Sequence, residues 1–331
     1  MKQLVYFSLL LGVALTSCNL REQPKNQEQE KNKKIVNVPV FNADTAYRFV
    51  KEQLEFGPRV PNSAAHEKCA DYLTDQLKNY LKTVNVQKGQ VKAFNGTILN
   101  FRNIIGSYNP ETNDRIFLCS HWDSRPFADH DPDPKNRTKP VPAANDGASG
   151  IGILLEIARQ ISLSKPQIGV DLIFLDVEDY GPPEGQKVEG SSEDWWGLGS
   201  QYWAKHPHVE NYFAKYGILL DMVGATGATF PMEGFSMQYA PEIVNQVWKA
   251  GNRIGYSSYF LFENGASIDD DHYYINKIMN IPTIDIIHLD QTNKSTFYHT
   301  WHTTGDVLET IDKNTLKAVG QTLLTVIYEE K

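Results

Sequence analysis

VDLIFLD, Val170 to Asp176, runs directly into Val177-Glu178-Asp179, and this junction decides how the chain is read. Seven residues of nearly unbroken apolar character are too short for a buried helix and suit a strand covered on both faces. Two similar runs flank it. RIFLCS (Arg115 to Ser120) leads into His121-Trp122-Asp123, and GILLDMV (Gly217 to Val223) carries Asp221 near its end. A further apolar strand is expected over Thr283 to Leu289 and another over Asn100 to Tyr108. Between them the spacing predicts helices over Thr45 to Glu55, Ser63 to Leu81, Gly147 to Ser162, Pro241 to Ile254 and Asp312 to Tyr328. Buried strands alternating with helices imply an α/β protein. We expect a single globular domain, with a central mixed, largely parallel β-sheet flanked by helices on both faces. Pro126 to Pro142 and Pro182 to Asp194 read as surface loops.

Composition narrows the function. The 331 residues carry a net charge of -8, and no Lys/Arg cluster stands in the folded part, which argues against a nucleic-acid surface. At the N-terminus, Lys2 precedes an apolar run from Leu4 to Leu15 and then Thr16-Ser17-Cys18, the pattern of a secretory signal. A Cys directly after small residues resembles a bacterial lipobox with Cys18 as the lipid-bearing residue. The run is too short to span a membrane well. Residues 19–40 are rich in Gln, Glu, Asn and Lys and read as a flexible polar tether. The expected organisation is therefore a lipoprotein signal over 1–18, the tether over 19–40 and a catalytic domain over 41–331, with the protein exported to the bacterial cell envelope and held at a membrane by its lipid. Cys69 shares a helical face with Tyr72, Leu73, Leu77 and Tyr80, and Cys119 lies in an apolar strand, so both read as packing residues.

In parallel sheets, ligands bind beyond the carboxyl ends of the strands. There the sequence puts His121 and Asp123, then Glu178 and Asp179, then Asp221. Asp146 precedes a helix, His302 precedes the last one, and Asp269-Asp270-Asp271 adjoins His272. Burying several carboxylates together costs several kcal/mol each unless a cation compensates. Mixed oxygen and imidazole donors suit zinc in an open geometry with three protein ligands. Asp129, Asp131 and Asp133 alternate like calcium ligands, but Pro132 and Pro134 between them favour a solvated loop.

Asn145-Asp146-Gly147-Ala148-Ser149-Gly150, then Asp176-Val177-Glu178-Asp179, Leu220-Asp221 and a late His302 resemble the zinc aminopeptidase clan from about Phe41 to the end of the chain. Trp301-His302-Thr303-Thr304, Asp270-Asp271 before His272, and Ile287-His288-Leu289 make glutaminyl cyclases of the animal type and their bacterial relatives the closer match. The resemblance implies a zinc-exopeptidase-like fold and one zinc per chain held by Asp146, Asp179 and His302. Glu178 would be the general acid/base, and Asp221 and Asp270 would form an acid network beside it. Trp301 and Trp196, or its neighbour Trp195, would frame the pocket, and His121 and His288 would stand behind or along its wall. Asp179 departs from the Glu of the animal enzymes. N-terminal glutaminyl peptides would be the substrates, closing to pyroglutamyl peptides with release of ammonia. The same residues would also serve a two-zinc aminopeptidase, with His121 and Asp221 holding the second metal. A binding protein that kept the fold and lost catalysis is the third reading, though no ligand or acid/base is missing.

Overall fold

The apolar runs form the strands that the pattern predicts, and they pack side by side. The computed structural model describes Met1, residues 37–290, 292–293 and 295–330. The expected signal segment, Cys18 and most of the tether lie outside the described residues. No helix among the described residues is long and apolar enough to cross a membrane.

Residues Asn37–Lys331 form one compact unit. In chain order its elements are α1 (Ala43–Leu54), α2 (Ala64–Tyr80), β1 (Thr83–Lys92), β2 (Ile98–Tyr108), β3 (Arg115–His121), α3 (Ala148–Ser164), β4 (Gly169–Leu175) and α4 (Leu198–Lys205). They continue with β5 (Gly217–Asp221), β6 (Phe230–Met232), α5 (Gly234–Tyr239), α6 (Pro241–Arg253), β7 (Phe260–Asn264), α7 (Asp271–Met279), β8 (Thr283–Ile287) and α8 (Lys313–Glu329). The helices start where side chains can replace missing backbone partners. Asn42 accepts from the Thr45 amide, Ser63 from that of His66 and Asp312 from that of Asn314.

The main sheet has the order β1-β2-β4-β3-β5-β8. Pairings β4–β3, β3–β5 and β5–β8 are parallel, while β1–β2 and β2–β4 are antiparallel. The sheet is thus mixed, with its parallel half carrying the runs that the sequence singles out. Alternate residues face opposite layers, as strand geometry requires. Ile116 and Leu118 join the larger core with helices α1, α2, α3 and α8. Phe117 and Cys119 join a smaller core with Trp203 of α4 and Ile275 of α7. Both faces are covered, as expected. Cys69 and Cys119 are free and buried, and burial pushes the Cys69 thiol up to about 12.

Two strands stop earlier than expected. GILLDMV ends as a strand at Asp221 because Met222 turns left-handed (φ 49°), and the last strand ends at Ile287. Elements β1, α4, α5, β6, β7 and α7 have no counterpart among the expected ones. Helix α3 crosses the sheet closely enough to need a glycine. A Cβ on Gly150 would overlap Ser120 Oγ and lie 2.8 Å from the Leu220 carbonyl oxygen, which cannot move aside. Gly150→Ala is therefore expected to lose about 1–3 kcal/mol, read as a lower thermal unfolding midpoint. An unchanged midpoint would contradict this close approach.

Candidate active site

The parallel strands deliver their carboxyl ends to one edge, and four left-handed corners turn the chain there. Ala143 (φ 60°) precedes Asn145-Asp146, Val177 (φ 51°) precedes Glu178-Asp179, Met222 (φ 49°) follows Asp221, and His302 itself has φ 52°. Residues with side chains adopt this conformation at a cost of order 1–3 kcal/mol, and such strain collects at functional sites. A β-branched valine is the least suited of all.

Side chains from neighbouring elements hold each corner. Asp176 accepts hydrogen bonds from His66 Nε2 at 2.8 Å, from the Arg102 amide at 2.6 Å and from the Val177 amide at 2.8 Å, which fixes the Val177 turn. Asp123 accepts from the amides of Glu178 and Asp179 at 3.1 and 3.3 Å. Asp306 accepts from the amides of Asn145 and Asp146 at 2.8 and 3.0 Å. Asn145 and Ser149 then tie this turn to the end of β5 by accepting from the amides of Gly224 and Val223. Between Asp146 and α3, Gly147 (φ 98°) lies so close to His121 and the Asp123 carbonyl that a Cβ would meet both at 3.0 Å.

These corners bring Asp146, Asp179 and His302 together. One donor atom from each lies within 4.8 Å of the others, and all three residues are buried. His302 Nε2 is 3.2 Å from Asp179 Oδ1 and 3.7 Å from Asp146 Oδ2. The Oδ2 atoms of Asp146 and Asp179 are buried with no hydrogen-bond partner among the described residues. Burial and the nearby Arg125 charge hold His302 well below the ordinary imidazole range, so its nitrogen is neutral and able to ligate. Orphaned carboxylate oxygens facing a neutral imidazole are the donor set zinc takes, and the residues fit the ion. A second group shares Asp146. His121 Nε2 lies 3.0 Å from Asp146 Oδ1 and 3.3 Å from Asp221 Oδ1, and these three residues also have donor atoms within 4.8 Å of one another.

A cavity of about 590 Å³ opens over this cluster. Its apolar wall includes Trp196, Trp301, Phe297, Phe235, Ile268 and Ile287, and its polar floor includes Glu178, Asp221 and Asp270. The Trp301 and His302 rings stack with centroids 3.7 Å apart, and Trp196 lies parallel to His302 at 6.5 Å. Glu178 is 12% exposed, open to the cavity yet largely dry. Burial, then the charges of Asp179, Asp270 and Asp271, raise it well above the ordinary glutamate range against the opposing pull of His121. Burial raises Asp221 to about 6 and, with the Asp221 charge, Asp270 to about 7. Acids poised near neutrality beside an apolar pocket are suited to proton transfer.

Of the residues singled out from sequence, Asp146, Asp179, His302, Glu178, Asp221, Asp270, Trp196 and Trp301 converge on the cavity. His121 and His288 do not line it. His121 lies beneath Asp146 and Asp221, and His288 packs against the Tyr298 ring with centroids 5.0 Å apart. The Asp129–Asp133 segment is solvated only in part: Pro132 and Asp133 are exposed, as expected, but Asp131 is not. Asp131 is buried, and its carboxylate takes the amide and hydroxyl of Thr304 at 2.9 and 2.6 Å.

The residue that sequence reading missed is Arg125. Its buried guanidinium grips Asp129 with two bonds of 2.7 and 2.8 Å and donates to Asp179 Oδ1 at 3.3 Å. It also reaches the carbonyls of Asp179, Gly181 and Pro182 and lies 5.0 Å from the Trp196 ring centroid. The signal available was position: Arg125 follows the same strand end as His121 and Asp123.

The model of peptidase family M28 matches residues 103–327. Among curated relatives, an aminopeptidase of Bacillus subtilis is 26% identical over 82% of this chain, which spans only 51% of that protein. The glutaminyl-peptide cyclotransferase of Bos taurus is 27% identical over 70% of this chain and 66% of its own length. Solved structures are nearer. Glutaminyl cyclase of Bacteroides thetaiotaomicron, bound to N-acetylhistamine, is 52% identical with a TM-score of 0.87, covering 89% of this chain and 100% of that one. A leucine aminopeptidase precursor from the same organism is also 52% identical, with a TM-score of 0.86 over 90% and 100%. Matched by the family model over most of its folded length and half identical to relatives that it covers end to end, the chain belongs to peptidase family M28, in the branch that includes bacterial glutaminyl cyclases.

Proposed function

We propose that the protein is a glutaminyl-peptide cyclotransferase acting on peptides or proteins with N-terminal glutamine. The observation that carries this reading is Glu178, a nearly dry acid/base in a cavity lined by three zinc-type donors, two of them orphaned carboxylate oxygens, and by an aromatic wall. Asp146, Asp179 and His302 would hold one zinc, which when bound supplies Lewis-acid polarisation of the γ-carboxamide. Trp196 and Trp301 enclose the glutaminyl side chain and exclude water. Glu178 removes a proton from the α-amine as that nitrogen attacks the γ-carbonyl carbon. It then returns the proton to the amide nitrogen, the C–N bond breaks, and ammonia leaves. Asp221 and Asp270, carboxyls on the same cavity floor raised toward neutrality, share the charge load as Glu178 changes its own. Nucleophile and electrophile belong to one residue, so proximity supplies much of the rate and no activated water is needed.

Export and anchoring belong to the same proposal: residues 1–18 direct secretion, Cys18 carries the lipid, and the tether up to residue 40 separates the domain from the bacterial membrane. One observation favours a second reading. The His121, Asp146 and Asp221 group has the spacing to take another metal, as a water-activating aminopeptidase would require. Incubation with Gln-initiated and Leu-initiated peptides separates the two. Ammonia from the glutaminyl peptide without free leucine from the other is the expected result. Leucine release without ammonia would overturn the cyclase reading.

A further inference from the structure

A second cavity of about 350 Å³ adjoins the first and shares His130, Glu184, Ser295 and Trp301 with it. Tyr298, His299 and Asn293 complete its lining among the described residues. A peptide whose first residue fills the pocket over Glu178 can lead its chain out past Trp301, whose ring lines both cavities. We propose that it is a subsite for the second or third residue of the substrate, and that it favours a basic side chain. This rests on the proposed cyclase activity.

The preference follows from charge. Among the described residues lining the first cavity, the one guanidinium, Arg125, is already committed to Asp129 and Asp179. Glu184 stands at the junction of the two. Its amide is fixed by Asp129 Oδ2 at 2.8 Å, so the backbone is held, yet its side chain is 70% exposed and meets only the His130 ring, at 3.6 Å. A carboxylate with a fixed root and a largely exposed head is placed to meet an ammonium or guanidinium group entering from the shared opening. Tyr298 and the exposed His299 add groups able to hydrogen-bond to the same lining. An acidic side chain in the same position would face Glu184 and the carboxylates on the floor of the main cavity.

The test compares kcat/KM for Gln-initiated tripeptide amides with Lys, Ala or Glu at position two and then at position three, using glutaminamide as the reference without a following residue. At one of the two positions, Lys is expected to exceed Glu by about three- to five-fold, as befits an exposed pair. Glu184→Gln should bring the ratio close to one and Glu184→Lys should invert it. A ratio near one in the unaltered protein, or a ratio indifferent to both substitutions, would overturn the subsite. Failure of the unaltered protein to cyclise glutaminamide and every peptide would instead overturn the cyclase reading.

Discussion

Replacing Glu178 by Gln is expected to lower kcat for cyclisation by roughly 10²–10⁴-fold while zinc content stays as in the unaltered protein. The two effects separate because position and chemistry have different owners. Asp123 fixes the amides of residues 178 and 179, so the backbone and the Asp179 donor stay in place when the side chain changes. Gln keeps the shape and loses the ability to take up a proton. Glu178 is not one of the three clustered donors, so the metal has no reason to leave. Ammonia release and metal analysis on the same preparation read both quantities. Full turnover by the variant would remove Glu178 from the proton-carrying role, and loss of zinc would make it a ligand.

Arg125→Met is expected to weaken zinc binding by about 10–100-fold and to destabilise the fold by about 3–5 kcal/mol. Both follow from what the guanidinium holds. Its bonds to Asp129 keep that carboxyl down at about 2, and its bond to Asp179 Oδ1 fixes one oxygen of a proposed zinc ligand. Removing the charge leaves two largely buried carboxylates without their cation. It also frees the carbonyls of residues 179, 181 and 182, which shape the pocket wall beneath Trp196. Arg125→Lys restores the charge without the planar fork and should fall between the two. Chelator competition and thermal unfolding measure the effects, and zinc affinity unchanged in Arg125→Met would reduce the residue to a structural brace.

Much of this was legible in the sequence because parallel strands buried on both faces cannot hide. VDLIFLD and RIFLCS have no polar face to blur them, and the residues after them had to lie at the sheet's ligand-binding edge. The antiparallel half was harder. Thr83–Lys92 is half-exposed, with Gln87 on one face and Lys88, Gln90 and Lys92 on the other, and only its pairing with Ile98–Tyr108 makes it a strand. Helix α7 is nine residues long and starts within an acidic triplet, so its pattern is too short to register. Order along the chain also says nothing of depth. His121 and His288 follow strands as the pocket residues do, yet both are buried behind the wall. Arg125 escaped notice because its Asp179 and Asp129 partners become a set only when β3 and β4 lie side by side.

The four left-handed corners carry a consequence for any attempt to make this protein more heat-resistant. Glycine at Ala143, Val177 or Met222 would relax the local backbone, and conventional stability design would propose it. Each relaxed corner would also widen the range of directions from which Asp146, Glu178 or Asp221 could point. The surrounding core now suppresses that freedom. Durability and turnover therefore pull against each other at these positions, and resistance to heat is better sought on the half-exposed strand β1, which contributes no residue to the cavity.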